Sequence, residues 1–462
     1  MFKRSTVRIA VFTVLVTAAV LVVLSGFLAM INAKPALAQE VGRYTTQPVR
    51  GSNPLSYLGP NQLLVVGPNR NITNKNGAQS ETSVAVDPTN PAHIVAASND
   101  LSSFSTYNSV YESYNYGRTW ALAGYSVNAF CYDPWVDFNA DGTVLYAYEC
   151  YDQRVAYRPA GSTTWTYYRI GNAGGFPDRD MIVVDRNPSS AYYNRAYIGY
   201  DDANASNAAY VLYANASNYS SWTKSPKIND SGNTIGVNAT VLSDGRVLSV
   251  WESYAQDQMR SDCSSNGGAT WGTDTTVLTY RANAPQFFIY IPPQPDRGVL
   301  PMPFSAAAPA GTTYAGRAYV AYADQATSGS HWDVYVRYTD NCGATWSSEV
   351  KINDDTGTAY QFFPEPAVLP DGTVAVSWYD TRDDATNRKT HRYWSYSTNG
   401  GVTWSANERL TTAQSDESGF GDANDYGDYE NTAAGNNFFY HVWTDSRPGT
   451  KAEDMAGAPS RP

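Results

Sequence analysis

The chain has 462 residues, of which 14% are aromatic and only 16% are charged, and its formal net charge is −11 at pH 7. An acidic chain of this kind is a poor partner for nucleic acid or for an anionic lipid surface, so both are excluded as main partners. The length is sufficient for a large hydrophobic core, and the aromatic content is atypical of a disordered chain.

The first 38 residues have the pattern of an export signal. Basic residues near the start precede an apolar run that begins at Ile9, and the triplet Ala-Leu-Ala at 36–38 forms a small-x-small cleavage site. We therefore expect a signal peptide at 1–38 and a secreted mature protein. The apolar run is also long enough to be an uncleaved anchor, which would keep the protein at the extracytoplasmic surface and would be its only membrane contact.

One eight-residue pattern, Ser/Thr-x-Asn-x-Gly-x-Thr-Trp, occurs four times with identical spacing. Asn can hydrogen-bond the backbone of its own turn, Gly accepts a positive φ, and Thr-Trp can begin a strand with a large apolar ring. The pattern therefore predicts a tight turn between two strands, repeated along the chain. Its defining positions are Ser113, Asn115, Gly117, Trp120, Ser264, Asn266, Gly268, Trp271, Thr339, Asn341, Gly343, Trp346, Ser397, Asn399, Gly401 and Trp404.

These four turns resemble the Asp-box, or bacterial neuraminidase repeat, of sialidase-like β-propellers, with Asn at the position where the family motif has Asp. The resemblance implies an all-β chain of four-stranded antiparallel blades. It also implies that the turns are structural and lie at the blade periphery, away from the active centre. It therefore predicts the fold more strongly than it predicts chemistry.

A second repeat predicts the number of blades. Seven apolar strands end in an acidic residue, and Asp-Gly turns precede several of them. These acidic ends are Asp100, Glu149, Asp201, Glu252, Asp324, Asp380 and Asp445. We expect seven blades, with six, the number in sialidases proper, as the alternative.

The residues that follow the start of the seventh unit are too few for four strands. The strand-like segment 62–66 precedes the first unit without a partner of its own, so we expect it to close the last blade and leave no open sheet edge. A proline-rich insertion at 281–314 is predicted to be a long loop between blades. The expected organisation is a signal peptide or anchor at 1–38, a linker at 39–60, the propeller at 61–450 and a C-terminal tail at 451–462.

Four cysteines in an exported chain are expected to pair. Cys131 and Cys150 flank an Asp-Gly hairpin turn at nearly equal distances, which predicts a disulfide between adjacent strands. Cys263 and Cys342 lie at the turns of consecutive blades and could form a second bridge. None of the four has the spacing of a metal site.

The innermost strands of a propeller converge on a central funnel, where a ligand site is expected. A glycosidase needs one protonated and one ionised carboxyl group, and the starts of the predicted inner strands supply several. The candidate catalytic residues are Glu81, Asp180 and Glu365, and the candidate ligand-binding residues are Asp133, Arg179 and Tyr429. The favoured alternative is that these carboxylates bond neighbouring blades or hold a structural cation, since propeller centres often carry polar groups without catalysis.

A dense group of oxygen ligands precedes the last blade. Asp422, Asp425 and Asp428 lie within seven residues and could together hold Ca²⁺. A polar loop that leads into the blade is the alternative interpretation.

Sialidases hold the substrate carboxylate with three arginines, the first of them in an Arg-Ile/Leu-Pro motif, and that motif is absent after the signal segment. Arg179 is the one arginine at a predicted inner-strand start, among carboxylates that would repel an anionic sugar. The sequence therefore favours a secreted or surface-exposed sialidase-like propeller that recognises an extracellular glycan or protein. The alternatives are a glycoside hydrolase of this superfamily acting on a neutral or basic sugar, and a structural component of a cell-envelope or extracellular assembly.

Overall fold

The computed structural model describes residues 65–101, 107–128, 131–171, 173, 175–216, 219–281, 288–326, 331–417, 424–447 and 453–462. All of them belong to Val41–Pro462, the second of the two units into which the chain divides. The predicted signal peptide, the linker and the first residues of the closing strand lie outside the described residues.

Seven antiparallel sheets follow one another along the described chain, which confirms the seven-bladed propeller rather than the six-bladed alternative. Two short strands, β1 (Val65–Val66) and β2 (Arg70–Asn71), come first. Blade one contains β3 (Gln79–Val86), β4 (Ile94–Asp100), β5 (Tyr107–Ser113) and β6 (Ala121–Asn128); blade two contains β7 (Tyr132–Phe138), β8 (Val144–Glu149), β9 (Gln153–Arg158) and β10 (Thr166–Arg169). Blade three contains β11 (Pro177–Val184), β12 (Ala196–Asp202), β13 (Ala208–Ala214) and β14 (Thr223–Lys224); blade four contains β15 (Ile235–Val241), β16 (Val247–Ser253), β17 (Gln258–Ser264) and β18 (Thr275–Thr279).

The second half of the chain continues the same order after a separate hairpin of β19 (Ile289–Ile291) and β20 (Gln294–Val299). Blade five contains β21 (Phe304–Ala307), β22 (Ala318–Gln325), β23 (Trp332–Thr339) and β24 (Val350–Lys351); blade six contains β25 (Gln361–Val368), β26 (Val374–Asp380), β27 (His391–Ser397) and β28 (Glu408–Arg409). Blade seven contains β29 (Asn431–Ala434), β30 (Phe439–Asp445) and β31 (Asp454–Arg461). Short 3-10 turns occur at Ala203–Ala205 and Tyr254–Gln256. Among the described residues, no helix is long and apolar enough to cross a membrane.

The innermost strands form a closed ring. Each inner strand contacts the next one, in the order β3, β7, β11, β15, β21, β25 and β29, and β29 contacts β3. The sheets pack face to face, so strands such as β4 and β26 are buried along their whole length. The large rings of Trp251, Trp378 and Trp443, near the ends of second strands, are completely or almost completely buried between blades. Burial of both faces explains why these strands are nearly continuous apolar runs rather than alternating ones.

The two ends of the described chain close the ring together. β1 and β2 pair antiparallel with β31, with Val65 opposite Arg461 and Arg70 opposite Gly457. The N-terminal segment therefore closes the last blade as expected. The prediction of a C-terminal tail at 451–462 is wrong, because β31 is the third strand of blade seven and pairs with β30 along its length. Its Ala, Gly and Pro residues have low strand propensity, and β30 supplies the pairing that the local sequence does not indicate.

The four repeated turns have nearly the same hydrogen bonds. In each turn, the N–H of the repeated Gly donates to the hydroxyl of the first Ser or Thr at 2.9 or 3.0 Å, as Gly117 does to Ser113. The side-chain oxygen of the Asn accepts from the N–H of the Thr at 2.9 or 3.0 Å, as Asn115 does from Thr119. Each turn joins the third and fourth strands of its blade. All four therefore lie at the end of the blades opposite to the starts of the inner strands, where the resemblance placed them.

Both predicted disulfides are present. Cys131–Cys150 joins the two ends of the first hairpin of blade two, and Cys263–Cys342 joins blade four to the turn of blade five. The first bridge closes a loop within one blade, whereas the second holds two blades together.

We expect removal of residues 454–462 to cause aggregation, because β30 and the closing N-terminal segment would both lose their partner and expose a sheet edge. A chain that begins at residue 67 loses only β1 and keeps β2, so it should stay monomeric with a lower melting temperature. Size-exclusion chromatography and thermal unfolding measure both. A monomeric chain without 454–462 would contradict the role of β31.

The two disulfides should contribute unequally to stability. The loops they close span sequence separations of 19 and 79 residues. Loss of loop-closure entropy predicts a cost of roughly 3 kcal/mol for Cys131→Ala/Cys150→Ala and roughly 4.5 kcal/mol for Cys263→Ala/Cys342→Ala. Denaturant unfolding of the two double variants tests the order, and peptide mapping without reduction tests the pairing. Equal costs, or the reverse order, would show that loop length does not govern the effect.

Candidate functional site

The inner strands of blades one, two and three share a bulge near their first residues. Each has one extra residue relative to the second strand of its blade. The residue at the bulge has a left-handed backbone, with φ of 55° at Glu81, 53° at Asp133 and 60° at Arg179. Such conformations are unfavourable for residues other than Gly and persist where the surrounding structure imposes them, often at functional sites.

Blades four and six carry the same bulge with uncharged residues. Gly236 has φ 65° in β15, and Phe363 has φ 49° in β25. The charged bulge residues are thus grouped on one side of the ring, in three consecutive blades.

The insertion between blades four and five is more than the predicted loop. Its hairpin, β19 and β20, packs against residues 425–428, which lead into blade seven. Gln294 is fully buried, donates to Gly427 O at 3.1 Å and accepts from Tyr426 N at 2.7 Å. Asp425 accepts two successive backbone N–H groups of β20, both at 2.9 Å. These bonds fix the hairpin and bring Arg297 to the bulged residues.

Arg179 and Arg297 converge on one carboxylate. Arg179 Nη1 lies 2.8 Å from Asp428 Oδ2, and Arg297 Nε lies 2.8 Å from Asp428 Oδ1. Arg297 Nη2 also lies 3.3 Å from Glu81 Oε1, and Asn99 donates to the other oxygen of Glu81. Burial opposes ionisation of Asp428, but the two arginines hold its pKa below the usual range. This carboxylate is therefore an anion held by two cations.

Beside these ion pairs lies a group that we name the acidic triad, Asp133, Glu149 and Asp178. One oxygen from each lies within 4.8 Å of the others. Burial and the neighbouring Asp178 raise the pKa of Asp133 to about 6, and burial and Asp133 raise the pKa of Glu149 well above its usual value. Asp180 adjoins the group, accepts from Gln153 Nε2 at 2.7 Å, and has a pKa raised by burial and by Asp133.

Glu365 belongs to a separate buried network in blade six. Its pKa is raised well above the usual value by burial, while Arg392 acts in the opposite direction. Arg392 is fully buried and donates to Ser377 Oγ at 2.7 Å. The charge of Glu430 also raises the pKa of Glu365, and Glu430 accepts a hydrogen bond from Tyr379 OH at 2.5 Å. Arg392 also donates to the backbone oxygen of Phe363 at 3.3 Å, so these bonds join β25, β26 and β27 to the start of blade seven.

The structure brings together Glu81, Asp133, Arg179 and Asp180 and places Glu365 in the other network. Tyr429 is almost completely buried, and its ring packs 5.4 Å from the ring of Trp135. The catalytic and ligand-binding roles of these residues stay predictions.

The structure describes only two of the three residues of the predicted Ca²⁺ site. Asp422 lies outside the described residues, while Asp425 accepts backbone N–H groups and Asp428 pairs with two arginines. Protein donors therefore already occupy oxygens of both carboxylates. The metal role of the three residues stays a prediction.

The sequence did not predict that Glu149 and Arg297 belong to the site. Glu149 was noted only as a strand end, although its position opposite Tyr132, the residue before Asp133, was a usable signal. Arg297 lies in an insertion without a repeat, 131 residues from Asp428, and no local pattern indicated it.

Exposed aromatic rings stand at the same end of the blades as the bulges. Tyr151, in the turn between β8 and β9, is 40% exposed, and Tyr290, in the hairpin, is 64% exposed. Phe176, just before β11, lies 5.8 Å from the ring of Tyr151. The guanidinium of Arg297 lies 5.7 Å from the ring of Phe288.

We expect Arg297→Met to lower the free energy of unfolding by roughly 1.5–3 kcal/mol at pH 7, the usual range for hydrogen bonds to charged groups. Arg246→Met is the matched control, because Arg246 pairs with Asp244 at 2.7 Å on the surface and such pairs contribute about 0–1 kcal/mol. Denaturant unfolding measures both variants.

The effect of Arg297→Met should also depend on pH. Because the pKa of Asp428 is lowered in the folded state, its contribution is present above the ordinary value of 3.8 and is lost as the pH falls below it. The difference between wild type and variant should therefore narrow below that pH. A difference that is absent at pH 7, or that stays constant under acid conditions, would contradict the assigned ion pair.

No protein-family model matches the chain, and no curated protein matches it. The solved structures similar to it include a protein of unknown function from Dyadobacter fermentans, with 13% identity over 86% of this chain and 99% of that chain and a TM-score of 0.47. An alpha-L-arabinanase from Penicillium chrysogenum has 12% identity over 84% and 97% of the two chains and a TM-score of 0.43. A sialidase from Streptococcus pneumoniae has 9% identity over 73% and 70% and a TM-score of 0.46. Sialidases are thus among the structures to which the chain is similar, as the repeated turn predicted.

Proposed function

We propose that the protein is an extracellular glycan-recognition propeller. Its ligand binds at the end of the blades where the bulges of blades one to three meet the hairpin of the insertion. The proposal rests on Tyr151 and Tyr290, two exposed rings at the same end as the buried Glu81 and Asp133 and the partly exposed Arg297.

The chemistry of this surface suits a sugar. A pyranose or furanose ring has an apolar C–H face and a rim of hydroxyl groups, so it pairs with an aromatic ring on one side and with fixed polar groups on the other. The aromatic rings supply the first surface, and the partly exposed guanidinium of Arg297 supplies a polar group for the second. Rigid placement by the bulges and by Gln294 lowers the ordering cost of binding.

The charge arrangement favours a neutral or basic sugar. Arg179 and Arg297 both pair with Asp428, and Arg297 also contacts Glu81. A sugar carboxylate would have to replace Asp428 to gain these two arginines, and removing one partner of a buried pair is costly. This supports the expectation that the chain is not a typical sialidase.

An extracellular location agrees with the two disulfides, which persist mainly in oxidising compartments.

A glycoside hydrolase acting on a neutral or basic sugar is the second candidate function. It is favoured by the position of Glu81 and Asp180, which both adjoin Asp133 at the ligand end. Glu365 lies in the other network and is not their partner.

We expect Tyr151→Ala and Tyr290→Ala each to weaken glycan binding roughly 2- to 12-fold, since an aromatic contact contributes roughly 0.5–1.5 kcal/mol and 1.4 kcal/mol corresponds to a factor of ten. A glycan array with wild-type protein identifies the ligand, and titration of the variants measures the loss. Parallel incubation with assay of released reducing ends distinguishes recognition from hydrolysis.

Tyr193→Ala is the matched control, because Tyr193 is 40% exposed like Tyr151 but lies between β11 and β12, at the opposite end of the blades. It should bind as wild type does. Failure of wild-type protein to bind any glycan, or equal losses in all three variants, would overturn the proposed site.

A further inference from the structure

We propose that the acidic triad of Asp133, Glu149 and Asp178 binds a divalent cation, Ca²⁺ by preference, in the wall between blades two and three. The proposed cation site shares Asp133 with the proposed ligand end, but its test, the response of the melting temperature to Ca²⁺, does not depend on glycan binding.

The fold brings the three carboxylates together from different strands. Asp133 is the bulge residue of β7, Glu149 ends β8 of the same blade, and Asp178 lies near the start of β11 in the next blade. One oxygen of each lies within 4.8 Å of the others. Ca²⁺ binds oxygen at about 2.3–2.6 Å, so two oxygens on opposite sides of one ion stand about 4.6–5.2 Å apart. The separations of the triad are therefore within the reach of a single ion.

An unsatisfied buried oxygen marks the same place. Glu149 is only 5% exposed, and its Oε2 has no hydrogen-bond partner among the described residues. Asp180 Oδ1 and Asp201 Oδ1, whose carboxylates act on Glu149, are likewise buried without a hydrogen-bond partner in the described chain. Buried polar atoms are nearly always satisfied, and a bound ion is one of the few explanations for a group of such exceptions.

Compensation of the triad's charge by the described residues is incomplete, because burial raises the pKa of Asp178, and Arg179 and Arg297 oppose this rise from nearby without forming an ion pair with it. Arg179 adjoins the triad, but its guanidinium is paired with Asp428 at 2.8 Å, and what it gives Asp133 is a backbone N–H at 3.1 Å. Carboxylates that form no ion pair among the described residues would repel one another, when ionised, in a medium of low dielectric constant. A divalent ion would offset most of this charge.

The ligand set indicates which ion. All three ligands are carboxylates, which suit hard cations, and the triad includes no His or Cys that would favour zinc. Mg²⁺ requires oxygens at about 2.0–2.1 Å in near-octahedral geometry and retains its waters, whereas Ca²⁺ accepts wider and less regular sets. The triad also differs from the group before blade seven, where Asp425 and Asp428 already have protein donors.

Thermal unfolding of the purified protein tests the site after treatment with EDTA and after addition of CaCl₂ or MgCl₂. We expect Ca²⁺ to raise the melting temperature by mass action on the folded state, and Mg²⁺ to raise it less. Isothermal titration with CaCl₂ should give about one site per chain. In the isosteric variant Glu149→Gln the response to Ca²⁺ should be lost.

Two controls separate the site from a structural effect. In EDTA, Glu149→Gln should be about as stable as wild type, because Gln has nearly the same shape as the neutral acid that the raised pKa of Glu149 favours. Asp425→Asn should keep the full Ca²⁺ response. A melting temperature of wild type that is the same in EDTA and in CaCl₂ would overturn the proposal, and so would a response that survives Glu149→Gln but disappears in Asp425→Asn.

Discussion

Pairing between the two ends of the described chain is the constraint on which the propeller depends. β1 and β2 bond to β31, β31 bonds to β30, and β29 lies against β3 of the first blade. Only when this last sheet is complete does blade seven match the other blades and expose no additional sheet edge. The inner strands keep their relative positions within the closed ring, so the charged residues of blades one to three can meet those that lead into blade seven.

Closure also makes it possible to bury charge at the centre. Glu81, Asp133 and Arg179 adopt left-handed backbones, and Asp428 is held by two arginines in a buried site. Neither strain nor buried charge stabilises a protein by itself, and each persists only where surrounding contacts impose it. The hairpin supplies part of that support, because Gln294 and Asp425 fix the backbone from which Arg297 extends. The carboxylates of the acidic triad lie beside these groups but form no ion pair among the described residues.

The two ends of the blades have different chemistry, and this difference supports the functional proposal. At one end, the four Asn-containing turns satisfy their own backbone, and the same bonds recur with little variation. At the other end, the bulges, the hairpin and the exposed Tyr151 and Tyr290 break the repeat. A repeated end is explained by folding alone, whereas an irregular end with strained residues requires a further reason. Ligand recognition and cation binding are the two reasons that the observed groups support.

The sequence by itself determined the features that lie within one blade. The spacing of the turns and of the acidic strand ends predicted seven blades, the flanks of one hairpin predicted Cys131–Cys150, and the strand starts indicated Glu81, Asp133 and Arg179. Each depends on residues close together along the chain, where turn chemistry and strand periodicity act directly.

Apart from the closing N-terminal segment and the Cys263–Cys342 bridge, which the sequence indicated, only the tertiary structure decided the contacts around the ring. The strand at Asp454–Arg461 is made of residues with weak strand propensity and forms because β30 is there to pair with it. Arg297 meets Asp428 from an insertion without a repeat, and Glu365 is separated from Glu81 although both were indicated by the same local pattern. The physical reason is that contacts between blades depend on closure of the ring, which brings together residues hundreds of positions apart and leaves no periodic trace in the sequence.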